Sequence, residues 1–250
     1  MIDLKTVKEI EVMGEGGKRL REVVNELLNK IKVGMMTEEI DTEAEKLIVS
    51  KGGESSFKKV DNYFWSTCLP VNEQVVHTPP SKRRLMNGDV LTVDIGMYYK
   101  GFHTDFATTL IVGETENNRI IPFLDTGKNA LYKAIKQVRI GNRLGHISQT
   151  IEKEICGNGY FIMKQLTGHG IGRKLHEDPF VLGYLDRSIE KTLLIKPGLV
   201  IAIEVIYSMG SEDIFHEKND DWSIRSKDSS LTACFEHTVA VTEKETIVLT

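Results

Sequence analysis

An internal repeat constrains the fold of this chain more than any other feature of its sequence. Val33-Gly34 and Ile140-Gly141 lie 107 positions apart, and several further pairs keep the same offset. These pairs are Ile40 with Ile147, Glu45-Lys46 with Glu152-Lys153, Ile48 with Ile155, and Gly52 with Gly159. A constant offset over this span indicates an internal duplication. We therefore expect a single domain made of two related halves, about 1–115 and 116–250.

A pair of helices is predicted at the start of each repeat. In the first half, Thr6 and Glu9 have the spacing of a capping box, so a helix is predicted from about Val7, with Gly34 as its terminator. A second helix is predicted to follow, with Thr37 as its N-cap. Each half is then expected to continue into strands.

Acidic residues stand in the predicted strands of both halves. The runs 90–95 and 199–205 are apolar and β-rich, and each holds a carboxylate near its end. A second pair of runs, 105–112 and 236–241, begins with an acidic residue in each half. The four acidic residues are Asp94, Asp105, Glu204 and Glu236. The insert that separates the last two is predicted to be a loop with a hairpin.

The position of Asp94 inside an apolar run requires an explanation, because a buried carboxylate without a partner is strongly disfavoured. Taken alone, Asp94 is explained as a strand-end residue that faces water or pairs with a lysine or arginine. Four such residues at equivalent places in two halves favour another interpretation. If the halves face each other about a pseudo-twofold axis, the four carboxylates converge, and converging anions require cations to neutralise them.

His169, in the glycine-rich stretch 168–172, is the candidate fifth ligand. A phosphate-binding loop is the competing interpretation, but no Lys-Ser/Thr follows and the spacing is not GxGxxG. Four carboxylates and one imidazole suit borderline divalent metals such as Mn, Fe, Co or Zn, and two such ions would balance four negative charges. A pair of ions about 3.5–4 Å apart can activate a water and polarise a carbonyl, which is chemistry for hydrolysing an amide.

Six motifs in a fixed order span nearly the whole chain. They are VNEQVVH at 71–77, GD at 88–89 leading to VDIG at 93–96, GFHTD at 101–105, GHGIGRKLHEDP at 168–179, KPG at 196–198 leading to the glutamate at 204, and FEHT at 235–238. In these motifs the chain resembles the type I methionine aminopeptidases of the M24 family. The resemblance implies the duplicated pita-bread (creatinase/aminopeptidase) fold, of class α/β (α+β), in which helices flank an antiparallel sheet. It also implies removal of the initiator methionine from nascent proteins, by attack of a metal-activated water on the first peptide bond.

The resemblance also implies a role for each of the five candidate ligands. Asp94 resembles the chelating aspartate of one ion, and Asp105 and Glu236 resemble the two bridging carboxylates. His169 resembles the imidazole ligand of the other ion. Glu204 resembles a ligand that also handles protons during attack of the water. Two divalent ions are therefore expected.

Substrate contacts are implied in the same way. His77 and His176 resemble the histidines near the scissile amide, one placing the amine side of the substrate and the other stabilising the oxyanion. For His176 the competing interpretation is a surface histidine flanked by charges. The methionine side chain needs an apolar pocket. The resemblance suggests four lining residues, each of which is equally explained as core: Tyr63, Cys68, Leu175 and Trp222.

Some positions depart from the family pattern. Thr78-Pro79-Pro80 stands where the family usually has Gly-Ile-Pro, and Val205 replaces a frequent proline. Neither change removes a ligand, so we expect them to affect the shape of the pocket and the preference at the second substrate residue. His237 follows a ligand directly and is expected on the opposite face of its strand.

The overall charge argues against a protein whose main work is to bind nucleic acid. The net charge is −4 and the pI is about 6.0. The basic run Lys82-Arg83-Arg84 is expected to be a solvated loop, with transient contact to ribosomal RNA as the alternative. Three cysteines without CxxC spacing favour a reducing cytoplasm. No apolar run approaches about 20 residues, so no membrane span is expected, and we expect a monomer.

Two other functions compete with methionine removal. An Xaa-Pro aminopeptidase or dipeptidase shares the fold and the ligand types, but those enzymes generally carry a further N-terminal domain, and here the first predicted helix begins by about Val7. A non-catalytic pita-bread module that binds peptide or RNA is the second alternative. Such relatives typically lose ligands, whereas all five are present here.

Overall fold

The computed structural model describes residues 2–218 and 220–250, and its main elements follow the same order in both halves of the chain. The helices are α1 (Val7–Leu28), α2 (Thr37–Ser50), α3 (Ile120–Ile135) and α4 (Leu144–Gly157). The strands that follow α2 are β1 (Glu54–Ser55), β2 (Thr67–Cys68), β3 (Gln74–Val76), β4 (Val90–Tyr99) and β5 (Phe102–Ile111). Those that follow α4 are β6 (Phe161–Ile162), β7 (Thr167–Gly170), β8 (Glu177–Leu182), β9 (Val200–Ser208), β10 (Ile214–His216), β11 (Ile224–Ser226), β12 (Thr232–Val241) and β13 (Thr246–Val248). Two short 3-10 turns cover Phe57–Lys59 and Ile189–Lys191.

The predicted start of α1 is confirmed, and its predicted end is wrong. The Thr6 hydroxyl accepts the N–H of Glu9 (3.3 Å) and the Glu9 carboxylate accepts the N–H of Thr6 (2.8 Å), which completes the capping box. The helix ends at Leu28 rather than near Gly34. Gly34 lies in a left-handed turn, where its N–H donates to the carbonyl of Leu85 (2.8 Å). Gly34 therefore serves the connection to the next segment rather than the helix end.

The second helix begins one residue earlier than predicted. Its N-cap is Met36, whose N–H donates to the carboxylate of Glu39 (2.7 Å). Thr37 is the first helical residue, and its hydroxyl donates to the carbonyl of Ser81 (3.0 Å). The prediction failed because a threonine hydroxyl can satisfy a distant backbone group as well as its own helix.

A single large antiparallel sheet forms the centre of the molecule. Its strands follow the order β1-β4-β5-β12-β9-β7-β8, and β2, β6 and β13 pair with members of this path. The long hairpin-like pair β4/β5 of the first half meets the long pair β9/β12 of the second half through β5 and β12. The long strand pairs of the two halves therefore meet at the middle of the sheet, with β4/β5 on one side and β9/β12 on the other.

The two faces of this sheet differ because side chains alternate along each strand. On one face, apolar residues pack beneath the helices: α1 lies against β4 and β5, and α3 lies against β9 and β12. The buried residues on this face include Leu91, Val93 and Ile95 of β4 and Ile201, Ile203 and Val205 of β9. The intervening positions, among them the four predicted acidic residues, point to the opposite face.

A smaller sheet has three strands in the order β10-β11-β3. Strands β10 and β11 come from the insert between Glu204 and Glu236, and β3 comes from the segment before β4. The antiparallel pair β10/β11 confirms the predicted hairpin. None of the described helices is long and apolar enough to cross a membrane. The three cysteines are free, Cys68 and Cys234 being buried and Cys156 exposed.

Candidate metal centre

Three carboxylates lie in one row across the middle of the large sheet. In the strand registers, Asp94 is opposite Ala107, Ala107 is opposite Glu236, and Glu236 is opposite Glu204. Residues that are directly opposite in an antiparallel pair project to the same face, about 4.5–5.5 Å apart. The small side chain of Ala107 leaves space between Asp94 and Glu236, which is where a cation would need to sit.

The other two predicted ligands project to the same face of the sheet, because each lies two strand positions from a residue of the row or from its partner. Asp105 precedes Ala107 by two positions on β5, and His169 of β7 is opposite Ala202, two positions before Glu204 on β9. Ligand atoms of three residues lie within 4.8 Å of one another, namely Asp105, His169 and Glu236. The His169 Nε2 atom is also 3.6 Å from Glu204 Oε1. All five predicted ligands line one cavity.

The surroundings of the four carboxyl groups disfavour their charged forms. Burial, reinforced by the charges of the neighbouring carboxylates, raises the pKa of Asp94 and Glu236 well above their ordinary values. Burial raises the pKa of Asp105 to about 7, and burial with the nearby Asp105 raises the pKa of Glu204 to about 8. Among the described residues, Asp94 Oδ1 and Glu236 Oε1 are buried with no hydrogen-bond partner. These orphaned oxygens fit the coordination of cations.

The alternative explanation for Asp94 was that it pairs with a lysine or arginine at a strand end. The surroundings of Asp94 do not support this explanation. Within residues 2–218 and 220–250, Asp94 forms no ion pair with a basic side chain. Its strand neighbour across β2 is Cys68, and the charges nearest to it are those of Asp105 and Glu204. Because like charges repel, the second interpretation is favoured, in which the converging carboxylates bind cations.

His169 is oriented as a neutral ligand. Its Nδ1 atom is 2.8 Å from the carbonyl oxygen of Gly170, and this contact assigns the ring proton to Nδ1 because a carbonyl can only accept. The lone pair of Nε2 is then free to face the carboxylates. Burial lowers the pKa of His169 to about 3, so the ring is uncharged at neutral pH. A neutral imidazole fixed through its other nitrogen is the usual form of a histidine metal ligand.

The glycines around His169 serve strand packing rather than a phosphate. A Cβ atom on Gly168 would lie 2.4 Å from the carbonyl oxygen of Ala202, and one on Gly170 would lie 2.1 Å from that of Asp178. Only glycine allows β7 to approach β9 and β8 so closely. This close approach brings the His169 ring next to the carboxylate row, and the phosphate-loop interpretation is not needed.

The cavity that the five candidate ligands line has a volume of about 100 Å³, and its other side forms an apolar pocket. The four residues suggested for a methionine pocket, Tyr63, Cys68, Leu175 and Trp222, all line it. The Tyr63 and Trp222 rings meet edge to face, with centroids 5.0 Å apart, and the Tyr63 hydroxyl donates to the carbonyl of Thr67 (2.8 Å). The sequence did not indicate two further lining residues, Phe57 and Val60, because they lie in and after a short 3-10 turn without a motif.

Asp41 of α2 supports the wall of this pocket. Its carboxylate oxygen Oδ1 accepts the N–H groups of Ser66 and Thr67 (both 2.9 Å) and the Thr67 hydroxyl (2.8 Å). These bonds hold β2, which carries Cys68, against the first half of the molecule. A buried carboxylate in this role needs such donors to offset its desolvation.

His77 and His176 stand where the pocket opens into a wider groove. Both side chains line the pocket and the groove, and both residues are exposed. The ring centroid of His176 is 4.5 Å from that of His169, with the ring planes at 74°. The groove, about 870 Å³, continues past the apolar side chains of Val76, Ile206 and Phe180. Both histidines are therefore accessible to a ligand that spans pocket and groove.

The remaining histidines and the departures from the family pattern lie outside the row of ligands. His103 is buried and contacts Ser56, and His216 is exposed on β10. His237 lies beneath the helices, where its ring faces Tyr132, as strand alternation predicts. Val205 is also buried on the helical face, directed away from the neighbouring ligand Glu204.

Comparisons with known proteins point to one family. The model of "Metallopeptidase family M24" matches residues 11–243. Methionine aminopeptidase 1 of Bacillus subtilis is 35% identical to this chain over 250 residues, which covers 100% of this chain and 99% of that protein. The crystal structure of methionine aminopeptidase from Thermotoga maritima matches with a TM-score of 0.95 and 34% identity, over 100% of this chain and 99% of that chain.

A more distant likeness concerns the fold alone. The prolidase from Pyrococcus furiosus matches with a TM-score of 0.79 and 21% identity, covering 98% of this chain but 64% of that chain. Together with the antiparallel sheet and its flanking helices, these likenesses confirm the predicted pita-bread fold.

We expect the metal-free protein to lose stability as the pH rises above about 7, where the buried histidines are uncharged in both the folded and the unfolded chain and the carboxyl groups alone set the trend. In the folded chain Asp105 and Glu204 keep their protons up to about pH 7 and about pH 8, whereas their ordinary pKa values are 3.8 and 4.5. Their contribution to the free energy of unfolding is therefore fully present below about pH 4 and is lost as the pH rises through the two folded values. Thermal unfolding of chelator-treated protein, measured between about pH 7 and pH 9, checks this.

Divalent metal should reverse this trend, because metals bind the deprotonated carboxylates. Asp105→Asn, which cannot ionise, should make the pH dependence of the metal-free protein shallower. A chelator-treated wild-type protein that became more stable than Asp105→Asn on raising the pH would contradict the proposed electrostatics.

Proposed function

The chain belongs to metallopeptidase family M24, and from that premise we propose that it removes the N-terminal methionine from polypeptides by hydrolysing their first peptide bond. The observation that carries the proposal is one cavity in which five metal-ligand side chains adjoin a small apolar pocket. The pocket suits an unbranched apolar side chain, and the ligands lie beside the point where its backbone would emerge. Relatives that span the whole chain are named methionine aminopeptidases.

Two divalent ions are proposed for the site, since two would balance the four carboxylates. Asp94 would hold one ion, His169 and Glu204 the other, and Asp105 and Glu236 would be shared between them. The mixture of oxygen and nitrogen donors suits Mn, Fe, Co or Zn. When bound, such ions supply an activated water and polarise the substrate carbonyl.

Glu204 is proposed to handle the proton of this reaction. Its side chain is 14% exposed and reaches both the pocket and the groove, so it is accessible to the water that attacks and to the amine that leaves. A carboxylate at this position would accept a proton from the attacking water and return it to the leaving nitrogen.

His77 and His176 are proposed to position the scissile amide. Both lie at the junction of pocket and groove, which is where the first peptide bond would be if the methionine side chain occupied the pocket. His77 would contact the amine side of the substrate. His176 would donate a hydrogen bond to the carbonyl oxygen as negative charge develops on it.

Methionine would be selected by the shape and softness of the pocket. The aromatic rings of Tyr63 and Trp222 offer sulfur–aromatic contacts to a thioether, and Cys68 and Leu175 supply small apolar surface. The remaining substrate residues would follow the groove past Phe180. Thr78-Pro79-Pro80, which follows His77 directly, would then influence the preference at the second substrate residue.

We also propose that the protein acts on nascent chains in the cytoplasm as a monomer. Free cysteines, two of them buried, fit a reducing compartment. Contact with the ribosome would be brief. In the basic run, Arg83 donates to Gln74 (3.2 Å) and Arg84 donates to the carbonyl of Gly34 (2.9 Å). Lys82 and Arg84 are both exposed and would be available for such a contact.

Hydrolysis of short peptides tests the proposed activity. Protein stripped with chelator and reloaded with Mn, Fe, Co or Zn should release methionine from Met-Ala-Ser and little alanine from Ala-Ala-Ser, because the pocket would hold the longer side chain. Cleavage of Met-Pro-Ser alone would favour the Xaa-Pro alternative. No cleavage with any metal would favour a binding module that has kept its ligands.

Replacing a shared ligand should remove metal and turnover together. We expect Asp105→Ala or Glu236→Ala to lower the bound-metal content measured by elemental analysis and to abolish methionine release, since both ions would lose a ligand. Glu11→Gln, which changes an exposed carboxylate on α1, is the matched control and should behave as wild type. Normal turnover in either alanine variant would rule out the assignment of the metal pair.

Replacing His176 should separate catalysis from metal binding. His176→Ala is expected to keep the wild-type metal content and to lower kcat by about 10²–10³-fold, the usual effect of removing an oxyanion donor. His176→Gln, which retains an N–H donor, should recover part of the loss. An unchanged kcat in the alanine variant would exclude the oxyanion role.

A further inference from the structure

Lys5 is a buried cation outside the candidate metal centre. Its side chain is 2% exposed, and lysine is almost never fully buried unless it is paired. The ammonium group pairs with the carboxylate of Glu177, whose side chain is 11% exposed. It also contacts the carbonyl (2.9 Å) and the carboxylate (3.3 Å) of Asp3, but that side chain is 59% exposed and its charge is screened by water. Glu177 is therefore the principal partner of Lys5.

Backbone contacts leave Lys5 little freedom to move. Its N–H donates to the carbonyl of Gly198 (2.7 Å). A Cβ atom on Gly172 would lie 2.2 Å from Cε of Lys5, so the lysine stem lies directly against the backbone of that glycine. The segment before α1 is thus packed between two glycine-containing loops, and these contacts fix the position of the ammonium group.

The partner carboxylate is bound at both of its oxygens. One oxygen of Glu177 pairs with Lys5, and the other accepts the N–H of Lys174 (2.9 Å). The carbonyl of Lys174 in turn accepts the N–H of Gly172 (3.1 Å). These contacts close the loop 172–177 on itself. This loop carries Leu175, which lines the apolar pocket, and His176, which lies at its mouth.

We propose that Lys5 is a positioning residue for catalysis, acting through Glu177 on the loop that carries His176. Lys5 lines neither the pocket nor the groove, whereas its partner Glu177 lines the groove, so Lys5 lies behind the surface that would meet the substrate. Without the ammonium group, the largely buried Glu177 carboxylate would lose its cation and would turn toward water. This change releases the loop. The inference rests on the proposed function, because it assigns the loop a part in that reaction.

Neutralising the lysine tests the proposal. Lys5→Met keeps the length of the stem and removes the charge. We expect kcat for Met-Ala-Ser to fall by about 10- to 100-fold, since small displacements of a positioned group have effects of this size. Bound metal should remain at the wild-type level because no ligand is altered. Lys8→Met, an exposed lysine on α1, is the matched control and should leave kcat unchanged.

A double-mutant cycle asks whether the effect passes through Glu177. Glu177→Gln should also lower kcat, and the double variant Lys5→Met/Glu177→Gln should be no slower than the slower single variant, because both changes break the same contact. Losses that multiply in the double variant would mean that the two residues act independently and would overturn the proposal.

The outcomes also separate this inference from the proposed function. Wild-type protein that releases no methionine with any metal would reject the proposed function itself. Active wild type, together with a Lys5→Met variant that melts at a lower temperature but keeps its kcat, would show a purely structural role and overturn the inference. If Lys5→Met does not fold, Lys5→Gln takes its place: a lowered kcat at normal metal content supports positioning, and an unchanged kcat overturns it.

Discussion

Repulsion among four carboxylates gathered on one face of the central sheet is the constraint on which the rest of this structure depends. Asp94, Asp105, Glu204 and Glu236 share one face of a sheet. Burial raises the pKa of all four, and neighbouring carboxylates add to the rise for Asp94, Glu204 and Glu236. Such a cluster opposes folding unless it is protonated or neutralised by cations. The fold therefore has to supply enough packing energy elsewhere to hold these groups together, which is the usual relationship between a reactive site and its scaffold.

The opposite face of the same sheet supplies that energy. Side chains alternate along each strand, so every acidic position is flanked by residues that point into the packed layer beneath the helices. Val93 and Ile95 flank Asp94, and Ile203 and Val205 flank Glu204; all four are fully buried. A slip of one residue in any central strand would exchange the two faces. The apolar layer thus determines the register, and the register determines where the carboxylates lie.

Residues beyond the sheet orient the groups that would contact a substrate. Asp41 holds the strand that carries Cys68, and Thr238 bonds both backbone groups of Asp105 (2.9 Å each). The pair Lys5–Glu177 ties the segment before α1 to the loop that carries His176. These supports come from parts of the chain far from the ligands in sequence. A site whose ligands come from five strands needs such supports, because each strand positions one ligand only.

Much of the site was predictable from local sequence pattern. The repeat offset indicated two related halves, and the apolar runs with the motifs around His169 and Glu236 brought forward all five candidate ligands, because strand periodicity and glycine requirements are properties of neighbouring residues. The C-terminal end of α1 and the N-cap of α2 were predicted at the wrong residues, since Gly34 and Thr37 bond to residues about fifty positions away. Only the tertiary structure decided the tautomer of His169, the raised pKa values, the two further pocket residues Phe57 and Val60, and the Lys5–Glu177 pair. Each of these depends on burial or on a contact between distant segments, 172 positions apart in the last case, and no local pattern encodes such proximity.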